Sequence, residues 1–190
     1  MTIHEPMTVL TDYFLAVVAT VFAVRLYRAG IRYWSLAFFA TAAASFLGGT
    51  YHGIGFAPLW KATVLVIGLA SLLLLAGLGR GFAIFGALKF GPYTMWMAVH
   101  DDFKYVIYDY GLTLIIVAVV GAIRRNWWLP AGVAVSALAA AVQQSGFALH
   151  RHFNHNDLYH LIQIVGLWLL YRGGLLLRKW WTDRPTSPPT

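Results

Sequence analysis

The sequence predicts an all-α, polytopic membrane helix bundle. Of its 190 residues 59% are hydrophobic and only 11% are charged, whereas a soluble domain of this size carries about 25% charged residues. Apolar stretches near the ~20 residues needed to cross a bilayer recur along almost the whole chain. No stretch alternates in the period-two pattern of a membrane barrel strand.

Six spans are read directly from the apolar runs, at 9–28, 33–53, 58–79, 104–123, 128–150 and 157–178. The stretch "RGFAIFGALKFGPYTMWMAVHDDF" is the open case, because it contains Lys89 and the breaker pair Gly91-Pro92. Charge parity decides for seven spans, with a kinked one at 82–100. With seven, the loops and tail opposite the N-terminus hold Arg25, Arg28, Arg32, Arg80, Arg124, Arg125, Arg178, Lys179 and Arg184. The N-terminal face then holds only Lys61, Lys104 and Arg151, and the positive-inside rule places the N-terminus outside and the C-terminus in the cytoplasm. The same count gathers all seven histidines and six of the seven acids on the N-terminal face. With six spans, Arg124 and Arg125 would oppose the other basic loops, and His52 would face away from His160.

Residues 1–182 are expected to form one bundle domain, and 183–190 a disordered cytoplasmic tail rich in Pro, Ser and Thr. The N-terminus lacks the basic n-region of a signal peptide, so the first apolar run reads as a retained span. Compact loops without a targeting segment fit a bacterial inner membrane. Cysteine is absent, which excludes disulfides and thiolate metal sites. The net charge of +7 follows topology and suits anionic lipid. It does not form a nucleic-acid patch, so membrane lipid is the expected partner; the sequence leaves the oligomeric state open.

Ionisable groups inside spans cost roughly 2.5–3.5 kcal/mol each on insertion scales and mark functional candidates. In the second span, Thr41, Ser45, Gly49 and His52 share one helical stripe. In the fifth, Asp102, Tyr105, Asp109 and Thr113 share a face; Asp109 lies more than a turn inside and needs a partner, a histidine, Lys89 or a metal. Asp101 and Asp102 also suit a helix start, where acids favour the macrodipole. In the seventh, Asn156, His160 and Gln163 share a face beside Asp157, and Asn154 or Asn156 is a candidate N-cap. Glu5, Asp12 and His100 complete the polar set. A catalytic zinc needs three protein ligands and an open position for water. His52, His160, His155 and Asp102 or Asp109 are candidates to supply them, with the bound water attacking a carbonyl. Two facing histidines also leave haem open.

Seven spans with Ser45 and His52 on the second and "HNDLYH" opening the seventh resemble the CREST superfamily, which includes the alkaline ceramidases and the progestin and adipoQ receptors. The resemblance implies a zinc held by one histidine of the second helix and two of the seventh, and a lipid amide such as ceramide as substrate. Carried onto this chain, it implies His52, His160 and His155 at the metal, Asp102 or Asp109 as general base, and Ser45 at the oxyanion. The chain departs from the family pattern at definite positions. Gly48, not serine, stands four before His52; Asn156 stands four before His160 where the family has histidine; and "GIGFAPLWK" contains no acid. The expectation is a ceramidase-like protein with an extracytoplasmic, zinc-binding pocket that hydrolyses a lipid amide or ester. The alternatives are a proton-coupled transporter and a lipid-binding or structural subunit with a degenerate site.

Overall fold

The structure, a computed structural model, describes residues 4–150 and 153–182, with side chains to 177. Among these residues all regular structure is helical apart from one isolated bridge between His150 and Phe153. The helices are α1 (Pro6–Arg28), α2 (Arg32–Ile54), α3 (Ala57–Ala76), α4 (Arg80–Val99), α5 (Lys104–Ile123), α6 (Trp128–Ser145) and α7 (His155–Thr182). Four of them, α1, α3, α5 and α7, are long and apolar enough to cross a membrane, with mean hydropathies of 1.9, 2.1, 2.1 and 1.4. Small, polar or charged residues dilute the apolar runs of α2, α4 and α6.

Local chemistry sets the helix ends. Pro6 opens α1 three residues before the expected start, where its missing N–H costs nothing and its φ is already helical. Arg25 and Arg28 sit in the last turn, favoured by the negative end of the helix dipole. Gly55 ends α2 in the left-handed conformation, φ 69°. The doubtful stretch forms a single helix, α4, which runs through Pro92. The expected span 128–150 is shorter as a helix. Gly146 adopts φ 67° and stops α6 at Ser145, and Leu149 and His150 then pair with Phe153 in a reversal before α7. The expected disordered tail, 183–190, lies outside the described residues, as do Arg151 and His152.

Backbone and side-chain bonds gather the helix ends into two groups. At one end His4 N donates to Gly53 O (3.3 Å), Thr8 Oγ1 to Asp157 (2.9 Å) and Trp60 Nε1 to Asp101 O (2.9 Å). This polar end therefore holds the starts of α1, α3, α5 and α7 and the ends of α2 and α4. At the other, basic end Ser35 Oγ donates to Ala23 O (2.8 Å). There Trp34 fills the space left by two glycines: a Cβ on Gly77 would lie 2.1 Å from the indole, and one on Gly174 2.8 Å.

Helices α1, α2, α3, α5, α6 and α7 pack in a closed circuit, and α4 lies outside it against α3. The main core joins Leu15, Leu26, Trp34, Phe38, Leu74, Val117, Leu129, Leu167 and Leu170, which come from all six circuit helices. A smaller core, Val64, Tyr93, Met97 and Val106, attaches α4 to α3 and α5 near the polar end. Aliphatic packing dominates the middle and the basic end, and the buried ionisable residues Asp12, Asp157 and His160 collect where the first and last helices meet.

Candidate functional site

The buried face of α1 is Thr8, Thr11, Asp12, Leu15, Ala16, Ala19, Ala23 and Leu26. This is one i, i+3/i+4 stripe whose last turn at the polar end is polar instead of aliphatic. It meets the first turns of α7. His160 Nε2 lies 3.2 Å from Asp12 Oδ1, and His160 Nδ1 lies 2.9 Å from Thr11 Oγ1. All three residues are buried. Thr11 Oγ1 is also 3.2 Å from Thr8 O, which gives the hydroxyl two settings. When it donates to Thr8 O, it accepts from Nδ1–H, and a single proton is left between Nε2 and Asp12. When it turns to donate to Nδ1, Nε2–H donates to the Asp12 carboxylate. The second setting is a hydroxyl–imidazole–carboxylate relay of the kind that activates a nucleophilic oxygen.

A capping box holds His160 in place. Asn154 is the N-cap of α7: its Oδ1 accepts from Asn156 N (2.8 Å) and Asp157 N (3.4 Å). Asp157 Oδ2 accepts from Asn154 N in return (2.7 Å). Asp157 Oδ1 accepts from Thr8, so the cap also fixes α7 against α1. Deeper in the bundle, Gln163 Nε2 donates to Ser136 Oγ of α6 (3.1 Å). Asp157 and Gln163 are thus structural ties that flank the Asp12–His160 pair.

The Gly48-Gly49 step of α2 seats Asp12. A Cβ at Gly49 would lie 2.8 Å from Asp12 Cβ and 3.0 Å from the Tyr13 ring. At Gly48 the nearest atoms are Thr63 at 3.6 Å and Asp12 Oδ2 at 3.7 Å, ordinary contact. Gly49→Ala should therefore force α1 off α2 and cost about 1–3 kcal/mol, whereas Gly48→Ala should be tolerated. Unfolding in detergent micelles checks this, and equal losses in both variants would contradict the close approach.

His52 and Glu5 form a neighbouring contact. The His4–Gly53 backbone bond brings Glu5 over the end of α2, where Oε2 lies 3.0 Å from His52 Nδ1. The contact is an ion-pair distance but lies off hydrogen-bond geometry. Ser45 is buried on the same α2 stripe, one turn beyond Gly49.

The remaining candidates have other partners. Asp109 is half-buried with Lys89, whose ammonium donates to Asp109 Oδ1 (2.5 Å), Asp109 O (3.1 Å) and Ser71 Oγ (2.8 Å). Ser71 in turn bonds Thr113 (2.6 Å). Asp102 pairs at the surface with Lys104 (2.5 Å), and the bonds from that ammonium and from Lys104 N hold its carboxyl below the usual range. Asp101 pairs with Lys61 (2.7 Å), whose ammonium also caps the end of α4 through Met97 O and His100 O. His100 stacks on Trp96, ring centroids 3.9 Å apart. His155 and Asn156 occupy the first turn of α7, half-buried. Asp102 and Asp109, expected near the histidines as general bases, are therefore each engaged by a lysine.

The donor set in this arrangement does not fit the expected zinc. Among the described residues no three histidine or carboxylate groups converge. Both ring nitrogens of His160 have partners, and His52 turns Nδ1 to Glu5. The central residues that sequence reasoning undervalued are Thr8, Thr11 and Asp12. Their signal was their place on the same α1 stripe as Leu15, Ala19, Ala23 and Leu26.

A family model described as a family of unknown function, DUF6962, matches residues 7–179. The chain belongs to this family. The DUF6962 match begins one residue into α1 and ends in the last turns of α7. It therefore includes both pairs, the buried Asp12–His160 and the half-buried Lys89–Asp109. No curated protein and no solved structure matches this DUF6962 chain.

Proposed function

We propose that this protein is a seven-span membrane protein, N-terminus outside and C-terminus in the cytoplasm of a bacterial cell, that hydrolyses an amide or ester of a membrane lipid at its extracytoplasmic end. One observation carries the chemistry: the buried contact of His160 with Asp12 on one ring nitrogen and with the Thr11 hydroxyl on the other. An ionisable pair placed among membrane helices is a functional centre by default. In this reading Asp12 holds the imidazole so that Nδ1 takes the Thr11 proton as the hydroxyl oxygen attacks the lipid carbonyl carbon. His160 returns that proton to the leaving amine or alcohol. It then takes a proton from the water that splits the acyl-threonine, releasing fatty acid and restoring the hydroxyl. Ser45 is the candidate oxyanion donor. The CREST resemblance supports the substrate class, and no step is routed through a metal.

The test is fatty-acid release by purified protein in mixed micelles from a ceramide-type amide and a phospholipid ester. Release from at least one, insensitive to chelator, is expected. No release from either would sink the hydrolase reading, and stoichiometric zinc with activity lost to chelator would replace the metal-free route by the zinc-dependent one. A second reading, a lipid-binding protein without turnover, is favoured by Asn156 standing where the resemblance calls for histidine. One-to-one lipid binding without release would select it.

The topology has its own check, because the chain contains no cysteine. Phe56, between α2 and α3, and Trp127, before α6, are both exposed. In intact spheroplasts, Phe56→Cys should react with an impermeant maleimide and Trp127→Cys only after permeabilisation. The reverse pattern would invert the topology.

A further inference from the structure

Helices α4 and α5 meet only over part of their length. Near the polar end the seam is closed by Trp96 and His100 against Tyr105, and one or two turns deeper by the Lys89–Asp109 pair. Elsewhere α4 packs chiefly on α3, and toward the basic end a gap opens beside α5. The gap is a groove of about 540 Å³ lined by Leu78, Gly79, Gly81, Phe82, Phe85 and Ile116. The groove is open to the surface of the helices rather than enclosed. Every side chain in the lining is apolar. The groove is also continuous with the outward apolar surface of the same helices, where Ile84, Phe85, Leu88, Ile115 and Val119 are exposed.

Two further features indicate the occupant. Arg80, the first residue of α4, is exposed between the lining residues Gly79 and Gly81 and has no carboxylate partner among the described residues. Gly81, beside it, leaves its Cβ position open, with nothing within 4 Å. An apolar slot in the lipid-facing surface with a free guanidinium at its interfacial mouth has the amphipathic shape of a phospholipid. The chain takes the slot, and the phosphate meets the arginine, whose planar fork suits two phosphate oxygens. We infer that the groove between α4 and α5 binds one anionic phospholipid of the basic-end leaflet, with an acyl chain between the helices and the headgroup phosphate at Arg80. The site lies at the opposite end of the bundle from the Asp12–His160 pair and does not depend on what that pair does.

The test is native mass spectrometry of the full chain, reconstituted in nanodiscs of equal phosphatidylglycerol and phosphatidylcholine and then released from them. Unmodified protein should retain one phospholipid, mostly phosphatidylglycerol. Gly81→Trp, which places an indole at the lining where the Cβ position is open, should lower retention at least tenfold. Arg80→Gln should keep the lipid but lose the preference for phosphatidylglycerol. Val17→Trp, on the exposed surface of α1, a helix that contributes nothing to the groove lining, should behave as the unmodified protein. Equal retention in Gly81→Trp and unmodified protein would overturn the inference, as would equal loss in Gly81→Trp and Val17→Trp.

Discussion

Asp12→Ala or His160→Ala is expected to destabilise the bundle by about 3–5 kcal/mol, because each leaves the other group buried without its partner. The conservative pair Asp12→Asn and His160→Gln separates packing from chemistry. An amide at either position can still hydrogen-bond across the 3.2 Å contact, so these variants should retain most of the stability. Neither can pass a proton, and a positioned acid–base group contributes typically 10²–10⁴-fold to rate. Lipid hydrolysis should fall by about that factor in His160→Gln. Reversible unfolding in micelles checks the stability half. A loss in His160→Gln as large as in His160→Ala would mean that the pair is held by charge, not by hydrogen bonding.

Lys89→Met should cost about 3–5 kcal/mol, since it strands the Asp109 carboxylate among apolar helices. The reciprocal change, Asp109→Leu, should cost less, because a lysine's long stem lets its ammonium reach toward the interface. The double variant should be close to neutral. A buried ion pair replaced by apolar residues of similar size often gains stability, and Ser71 and Thr113 keep their mutual bond. A double-mutant cycle reads the coupling directly. Additive losses would show that the two residues do not depend on each other. Because this pair ties α4 to α5, the same cycle measures how firmly the outlying helix is held.

These two pairs show what a membrane sequence discloses. Apolar runs located six of the helices and the placement of the arginines the seventh, since both features follow directly from the cost of placing charge in hydrocarbon. Even α4 was recoverable through charge parity, although Lys89 and Pro92 spoil its hydropathy. The end of α6 was misplaced because "GFALH" is apolar enough to extend the run, while Gly146 ends the helix by backbone conformation. His160 could be singled out from its spacing. Its partner could not, because i, i+4 reasoning works along one helix, and the meeting of α1 with α7 depends on how the circuit closes. Asp109 had a named candidate in Lys89, 20 residues before it; only the structure chose it over the histidines. The acids at 101 and 102 were ambiguous for a related reason. A lysine one helix away, Lys61, and one two residues on, Lys104, neutralise them locally.

The central claim is that the buried Asp12–His160 pair is the acid–base centre of a lipid hydrolase. The most direct measurement is the rate of fatty-acid release by His160→Gln and by the unmodified protein, compared at equal folded fraction. A loss of about 10²–10⁴-fold is predicted. Release by the unmodified protein at a rate that His160→Gln matches would contradict the account.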